Sequence, residues 1–520
     1  MATNINELAV IKSQGLSWSV SWIITGYALV ILGTAMRLWV YLSAMPLRTD
    51  EIRLALNIID RSYFGLFEPL GHKQAAPLGF LLGCKLIVDL VGENELAFRL
   101  FPVICGITGL WIFWLIACHY LCTVGAIVAT AAASLSPTLI NRAADLKQYS
   151  SDFLMASAIL FVALPWFINT RTLGAWIALT CIGSLCIWLS HPGVFCVGAV
   201  GLVWLIDQIF NRKKNDAIKL LATSVIWVLV LLTAYWFNMR YSVEQTHLQT
   251  YWHKNFMPTD SLLPSLRWAV ISLIGIPKTT GFHFDRAVVV AMFMLALVGQ
   301  VSLLAREKRA GLSILLMIML PMTAAMFGKY PFGDRAIIFL LPSFLILMAE
   351  GLNRRFMFPK WSGVALVALC VVFMLPVSYR TQGGPEGVGY RFDVPAAIKF
   401  LNENVREDEC VLIMDNLEYP FNFYKRYINT KFKAIILKTP RGEVLTAENA
   451  QSALMAGLSE INFKGTVWVV VGHFRFVKRH LHDEPNKVVH AALKKIGHVT
   501  GTVELHNMTM YRLETITKDS

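Results

Sequence analysis

Long uninterrupted apolar runs recur through the first three quarters of the sequence, and nothing else limits the fold so sharply. Runs of about 18 residues or more read as helices that cross a membrane, because hydrocarbon offers no partner to an unpaired peptide group. They fall at residues 19–42, 98–119, 123–141, 153–169, 174–190, 193–210, 217–237, 285–304, 311–328, 335–350 and 361–379. The reading is a polytopic α-helical membrane protein of about 11 spans. A chain of 520 residues that is 56% hydrophobic, with mean hydropathy +0.54, excludes a soluble class.

The formal charge of +13 is spread over short loops between the runs, not pooled in a tail. It therefore speaks for topology and anionic lipid, and no nucleic-acid partner is expected. The nine cysteines lie mostly inside apolar runs, with no metal-binding spacing, so neither a disulfide framework nor a metal site is expected. The first run starts late and is long enough to stay as an anchor, so no cleaved leader is expected.

Basic clusters at Arg212-Lys213-Lys214, at Arg306 with Lys308 and Arg309, and at Arg354-Arg355 with Lys360 are each two spans apart. They share one face, which the positive-inside rule makes cytoplasmic. Residues 77–91, an apolar stretch broken by Lys85 and Asp89, are short for a span; they are expected to lie along the membrane surface. The loop at 43–97 and the stretch at 141–152 then share the outer face. From residue 380 the composition changes. Gly383-Gly384-Pro385 and Gly387 mark a linker, and strands alternate with helices from there on. The expected division is a membrane domain at 1–379 and an outer, small α/β domain at 380–520.

Directly after the first run comes Leu47-Arg48-Thr49-Asp50-Glu51-Ile52-Arg53. Asp50 either caps the helix that follows or does chemistry at the membrane surface. The same loop also offers His72, Lys73 and Gln74; later outer loops offer Asp145, Lys147, Tyr149 and Asp152, then His191 before Pro192-Gly193, then Arg335. Each has a plain alternative as an interface anchor or a turn residue. Together they suit transfer of a sugar from a lipid phosphate to a hydroxyl. A carboxylate, Asp50 with Glu51 beside it, takes the acceptor proton. The departing phosphate needs fixed cations, for which Lys73, Lys147 and Arg335 are candidates. One base without a partner acid predicts single displacement with inversion.

An ordered set of motifs carries a resemblance over about residues 19–350. Asp50-Glu51 follows the first span. Gln74-Ala75-Ala76-Pro77-Leu78, Gly92-Glu93-Asn94-Glu95 through Phe98-Arg99-Leu100-Phe101-Pro102, Ser136-Pro137 followed by Leu146 to Asp152, and Tyr330-Pro331-Phe332-Gly333-Asp334-Arg335 come after it in that order. The chain resembles the GT-C polyprenyl-phosphate-sugar glycosyltransferases, in the branch of protein O-mannosyltransferases and the lipid A aminoarabinose transferase. The resemblance implies Asp50 as base or acceptor-binding carboxylate. It implies Lys73, Lys147 and Arg335 near the donor phosphate, and Arg99 as a structural partner for acidic groups; Tyr149, Asp152 and His191 are substrate-binding candidates from their place in the outer loops alone. It supports a surface position for residues 77–91. Where many members carry two prolines, this chain has Ala76-Pro77, and Asp50 lacks a D-x-D pattern.

The expected activity is that of an inverting glycosyltransferase with no cofactor, acting in a bacterial inner membrane with its site on the periplasmic face. The expected partners are a polyprenyl-phosphate sugar donor, membrane lipids, and a glycan, lipid or protein acceptor. A lipid-saccharide flippase or a non-catalytic scaffold are the alternatives. A flippase needs charge in mid-span, whereas the charges here cluster near span ends.

Overall fold

A computed structural model describes residues 20–163, 173–211, 214–241, 246–282, 284–352, 391–438, 447–460, 465–472 and 485–515. Among these, seven helices are long and apolar enough to cross a membrane, or eight if the bent pair Thr123–Leu135 and Pro137–Ala143 is one span. Two shorter apolar helices, Tyr149–Phe161 and Leu173–Leu189, match two more of the expected runs. The run at 361–379 lies outside the described residues. The protein is an integral membrane protein with a small C-terminal sheet domain. The chain groups into two units, Met1–Ala44 with Asn57–Gln382, and Met45–Leu56 with Gly383–Ser520. The sequence reading assigned residues 45–56 to the membrane domain; they group with the C-terminal one. The helix Thr49–Ile59 begins in the second unit and ends in the first.

In the first unit, Leu78–Val91 is a 14-residue helix, about 21 Å long and so too short to cross about 30 Å of hydrocarbon. Gly92 ends it at φ +101°, a left-handed conformation that favours glycine. Asn94 then caps the next helix, Glu95–Tyr120, accepting from Ala97 N at 2.9 Å. The motif Gly92-Glu93-Asn94 thus makes a corner. Between the apolar runs at 217–237 and 285–304 the structure holds the helices Thr246–Trp252 and Leu262–Gly275. Leu262, Leu266 and Val270 recur on one face of the second, all more than half exposed, as in a helix lying in the membrane interface.

Helices Arg286–Arg306 and Leu341–Leu352 cross in backbone contact. A Cβ on Gly299 would lie 1.8 Å from Leu347 O, and one on Gly351 would lie 2.1 Å from Leu295 O. Near that crossing Arg306 donates to Glu350 Oε2 (3.2 Å) and to Tyr120 O (2.7 Å), tying a third helix to the pair.

The bend between Thr123–Leu135 and Pro137–Ala143 measures 50°. Pro137 has no N–H and keeps Ser136 out of helical geometry (φ −55°, ψ 116°). The carbonyls of Ala133 and Ser134 lose their helical partners. Arg37, only 1% exposed inside the first span, supplies them: Nη2 donates to Ala133 O (3.1 Å) and Nη1 to Ser134 O (3.2 Å).

The second unit carries a five-stranded mixed sheet. In chain order its strands are β1 (Cys410–Met414), β2 (Lys433–Leu437), β3 (Thr466–Gly472), β4 (Gly497–Leu505) and β5 (Met508–Thr515), arranged β2-β1-β3-β5-β4. The first three are parallel and the last two antiparallel. Asn507, at φ 57°, lies in the turn between β4 and β5. Glu409, just before β1, ties the sheet across: Trp468 Nε1 donates to Oε2 (3.0 Å) and Arg512 to Oε1. Burial pushes its carboxyl up, but the bonds from Arg512, Arg406 N–H and Trp468 outweigh that and hold it below the usual range.

Two outcomes follow for folding. Arg37→Met leaves two buried carbonyls without donors, at about 1–3 kcal/mol each, so its thermal midpoint in detergent falls while Arg37→Lys loses less. An unchanged midpoint in Arg37→Met would contradict the capping role. Because the Glu409 pKa is depressed in the folded state, its contribution is present above the unfolded value of about 4.3 and is lost as pH falls through the folded one. Protection of the β3 and β5 amides in the full chain, measured relative to their intrinsic exchange rates at each pH, should therefore fall on acidification in wild type, and depend less on pH in Glu409→Gln.

Candidate active site

In the second unit, Asp50 and Glu51 occupy the first turn of Thr49–Ile59 and behave differently. Glu51 is fully buried and accepts Arg48 N–H at 2.9 Å, with Arg48 Nε 3.4 Å from the same carboxylate oxygen. It closes the helix start from within. The Asp50 side chain is 37% exposed, with Arg48 Nε 3.8 Å from Oδ1. Of the pair, Asp50 is the carboxylate that a substrate hydroxyl could reach.

In the first unit, Asn57 holds the turn that leads to Lys73: Gly71 N donates to its Oδ1 (2.8 Å), and its Nδ2 donates to Gly71 O (3.2 Å). His72 and Lys73 both adopt left-handed backbone, φ 56° and 57°. Two such side-chain-bearing residues in a row are strained, a feature that gathers at functional sites. Both side chains are exposed. Gln74, next in the chain, is buried and accepts from Lys147 Nζ at 2.7 Å.

Lys147 leaves the turn after Pro137–Ala143, where Arg142 pairs with buried Asp145 at 2.8 Å and lies over the Tyr149 ring at 5.2 Å. Tyr149 itself is buried. Asp152, in the first turn of Tyr149–Phe161, is buried beside Ser190, and its Oδ1 has no hydrogen-bond partner. His191 follows Ser190 in the turn between two spans, and its Nε2 donates to Asn238 Oδ1 at 2.7 Å. Burial pushes the imidazole below its ordinary value, against that hydrogen bond, which raises it. His191 is therefore neutral at pH 7.

Gln74 and Asn238 line one small cleft of about 10 Å³, room for a single water, with Glu68, Pro69, Leu70, Ala75 and Tyr241. Lys147 and His191 thus stand directly behind two side chains of the same cleft. Its wall offers two amides, a carboxylate and a phenol, the groups that recognise polyols. Arg335 lies elsewhere in this unit, with Nη2 donating to Tyr251 Oη (3.1 Å) and its guanidinium 5.5 Å from the Trp252 ring centre. The sequence reading missed Glu68, Asn238 and Tyr241 as lining groups. Asn238, a polar residue at the end of an apolar run, was the signal available. Among the described residues no cluster of three His, Cys, Asp or Glu side chains is disposed to hold a metal.

No protein-family model matches the sequence, and no curated protein does. Solved structures do. Apo ArnT from Cupriavidus metallidurans superposes over 94% of this chain and 98% of its own, with TM-score 0.51 and 14% identity. The same protein bound to undecaprenyl phosphate superposes over 95% and 98%, with TM-score 0.53 and 13% identity. The chain has the GT-C fold. This confirms the architecture expected from the order of the motifs. A looser likeness, with TM-score 0.48 and 10% identity over 95% of this chain and 74% of the other, extends to the archaeal oligosaccharyltransferase AglB from Archaeoglobus fulgidus.

The Asn238 contact makes a measurable difference. In Asn238→Leu the one interaction that raises the His191 pKa is gone while burial remains. The His191 titration, followed by NMR of 13C-histidine-labelled protein, should move to lower pH. A shift to higher pH would contradict this account of the turn.

Proposed function

We propose that this protein is an integral-membrane glycosyltransferase that passes one sugar from a polyprenyl-phosphate carrier to an acceptor hydroxyl, with inversion. The observation that carries the reading is the end-to-end likeness of fold to ArnT, one of whose structures holds undecaprenyl phosphate. Charge and hydrogen-bonding groups of the right kind support it from the chain itself.

Asp50 takes the acceptor proton as the hydroxyl attacks the anomeric carbon, while Glu51 and Arg48 hold the helix start rigid beneath it. Charge grows on the departing phosphate as the glycosidic bond breaks. Lys147, fixed by Gln74, and exposed Lys73 supply cations for it. The amides and phenol around the small cleft offer hydrogen bonds to sugar hydroxyls at its mouth, with neutral His191 orienting Asn238 from behind. Tyr149 and Asp152 shape the wall around Lys147, and Arg335 contributes charge at the outer end of its span. No cofactor enters this scheme. The positive-inside argument puts the reaction on the periplasmic side of a bacterial inner membrane.

The test is turnover by purified protein. Undecaprenyl-phosphate sugars are offered as a panel, and release of undecaprenyl phosphate is followed. Asp50→Asn should lose about 10²–10⁴-fold in kcat while keeping its thermal midpoint. Lys147→Met should raise the KM for the donor and lower kcat as well. Full activity in Asp50→Asn would remove Asp50 from the mechanism. Carrier-linked sugar crossing vesicles with no acceptor and no release would favour a flippase.

A further inference from the structure

The second unit shows what its sheet is used for. β1 sits between β2 and β3. The chain leaves β1 toward β2, then crosses back over β1 to form β3. The neighbouring strands β1 and β3 therefore send their connections in opposite directions. In open α/β sheets the crevice beyond the carboxyl ends of such a strand pair is where a ligand is held.

The carboxyl ends of β1 and β3 are joined by Asn416 Nδ2, which donates to Gly472 O at 2.9 Å. Gly472 pairs with Met508 at the tip of the β4–β5 hairpin. Arg391 is fastened to that tip: Asn507 Nδ2 donates to Arg391 O at 3.0 Å. Immediately after β1 comes the short helix Glu418–Tyr424. The ligand crevice is thus flanked by Arg391 on one side and by Tyr419 and Tyr424 on the other.

These three residues hold the chain's own segment 45–56. Leu47 N–H donates to Tyr424 Oη at 2.7 Å, and Arg391 Nη1 donates to Pro46 O at 3.2 Å. The Arg53 guanidinium lies 4.4 Å from the Tyr419 ring centre. Leu47, Tyr424 and Arg391 are all buried; the Leu47–Tyr424 bond forms away from water, and the Arg391–Pro46 bond is partly shielded from it. Asp50 sits between the two anchored ends, three residues after Leu47 and three before Arg53.

We infer that the C-terminal α/β domain uses the crevice beyond β1 and β3 to hold residues 45–56, and that Tyr424 and Arg391 are positioning residues for the Asp50 carboxylate. The inference rests on the assignment of Asp50 as the base, and its anchoring half is measurable without any activity. A hydroxyl and a guanidinium that grip main-chain atoms at Pro46 and Leu47 fix where the helix Thr49–Ile59 starts. That fixes the direction in which Asp50 points. A small misplacement of a base costs rate without weakening donor binding.

The experiment compares full-length wild type, Tyr424→Phe, Arg391→Gln, Arg391→Lys and Asp50→Asn, all checked for an unchanged thermal midpoint. Hydrogen exchange over residues 45–53 is read by mass spectrometry, beside kcat and KM for the undecaprenyl-phosphate sugar that wild type turns over. Tyr424→Phe and Arg391→Gln should exchange faster at residues 47–51 and lose roughly 10- to 100-fold in kcat with donor KM unchanged. Arg391→Lys, which keeps a donor for Pro46 O, should recover most of both. Unchanged exchange in Tyr424→Phe and Arg391→Gln overturns the anchoring. Faster exchange with wild-type kcat overturns the positioning. Full activity in Asp50→Asn overturns the base assignment whatever the exchange shows, so the two failures are told apart.

Discussion

A main chain inside hydrocarbon must find a partner for every peptide group, and that constraint orders the membrane unit. A proline within an apolar run breaks it locally, and Pro137 does so near the end of the run at 123–141. The break is tolerable because Arg37 reaches across from the first span and donates to the freed carbonyls of Ala133 and Ser134. The new helix end needs donors' partners too. Ser136 Oγ accepts from Leu139 N (3.2 Å) and donates to Thr280 O (2.7 Å). One arginine and one serine thus turn a straight span into a bent one. The bend brings Pro137–Ala143 and the Asp145–Lys147 turn out as shaped structure instead of lipid-facing helix. Lys147 faces Gln74 because that turn exists.

The sequence made this architecture readable in proportion to how local its causes are. Long apolar runs need no tertiary information, and ten of the eleven expected runs have their helices among the described residues. The short helix Leu78–Val91 was legible from its apolar run, and the strands β1, β2 and β3 from compact apolar runs. Residues 262–275 were not, because Ser261, Pro264 and Ser265 dilute the apolar signal. Yet Leu262, Leu266 and Val270 fall one helical turn apart, a pattern visible only once helical spacing is tried. Arg37 was seen as a buried or snorkelling cation, but its partners lie 96 and 97 residues away. No pattern within the first span names them.

The site was legible as an inventory of residue types and not as an arrangement. Lys147 was visible as a cation. Its Gln74 partner depends on a turn that Asn57 holds from a different helix. His191 read as a turn residue, and it is one. Its relation to Asn238 arises because two spans pack, which sequence spacing does not encode. The attachment of residues 45–56 to the C-terminal unit was least legible of all. Its hydrogen bonds run to the carbonyl of Pro46 and the N–H of Leu47, groups that every sequence carries, from side chains as many as 377 residues away.

The same attachment explains why two adjacent carboxylates need not share a role. Successive residues on a helix point about 100° apart, so a helix start fixed from outside can turn only one of them inward. Once Tyr424 and Arg391 hold the chain at Pro46 and Leu47, Glu51 is the side chain turned in. There it accepts the Arg48 N–H that the first helical turn leaves without a partner. Asp50 is then the partly exposed member of the pair, with Arg48 Nε 3.8 Å from its Oδ1. The buried carboxylate spends its charge on the helix start. Its neighbour stays partly exposed beside Arg48. An Asp-Glu pair in sequence is symmetrical, and the anchoring of the backbone just before it breaks that symmetry.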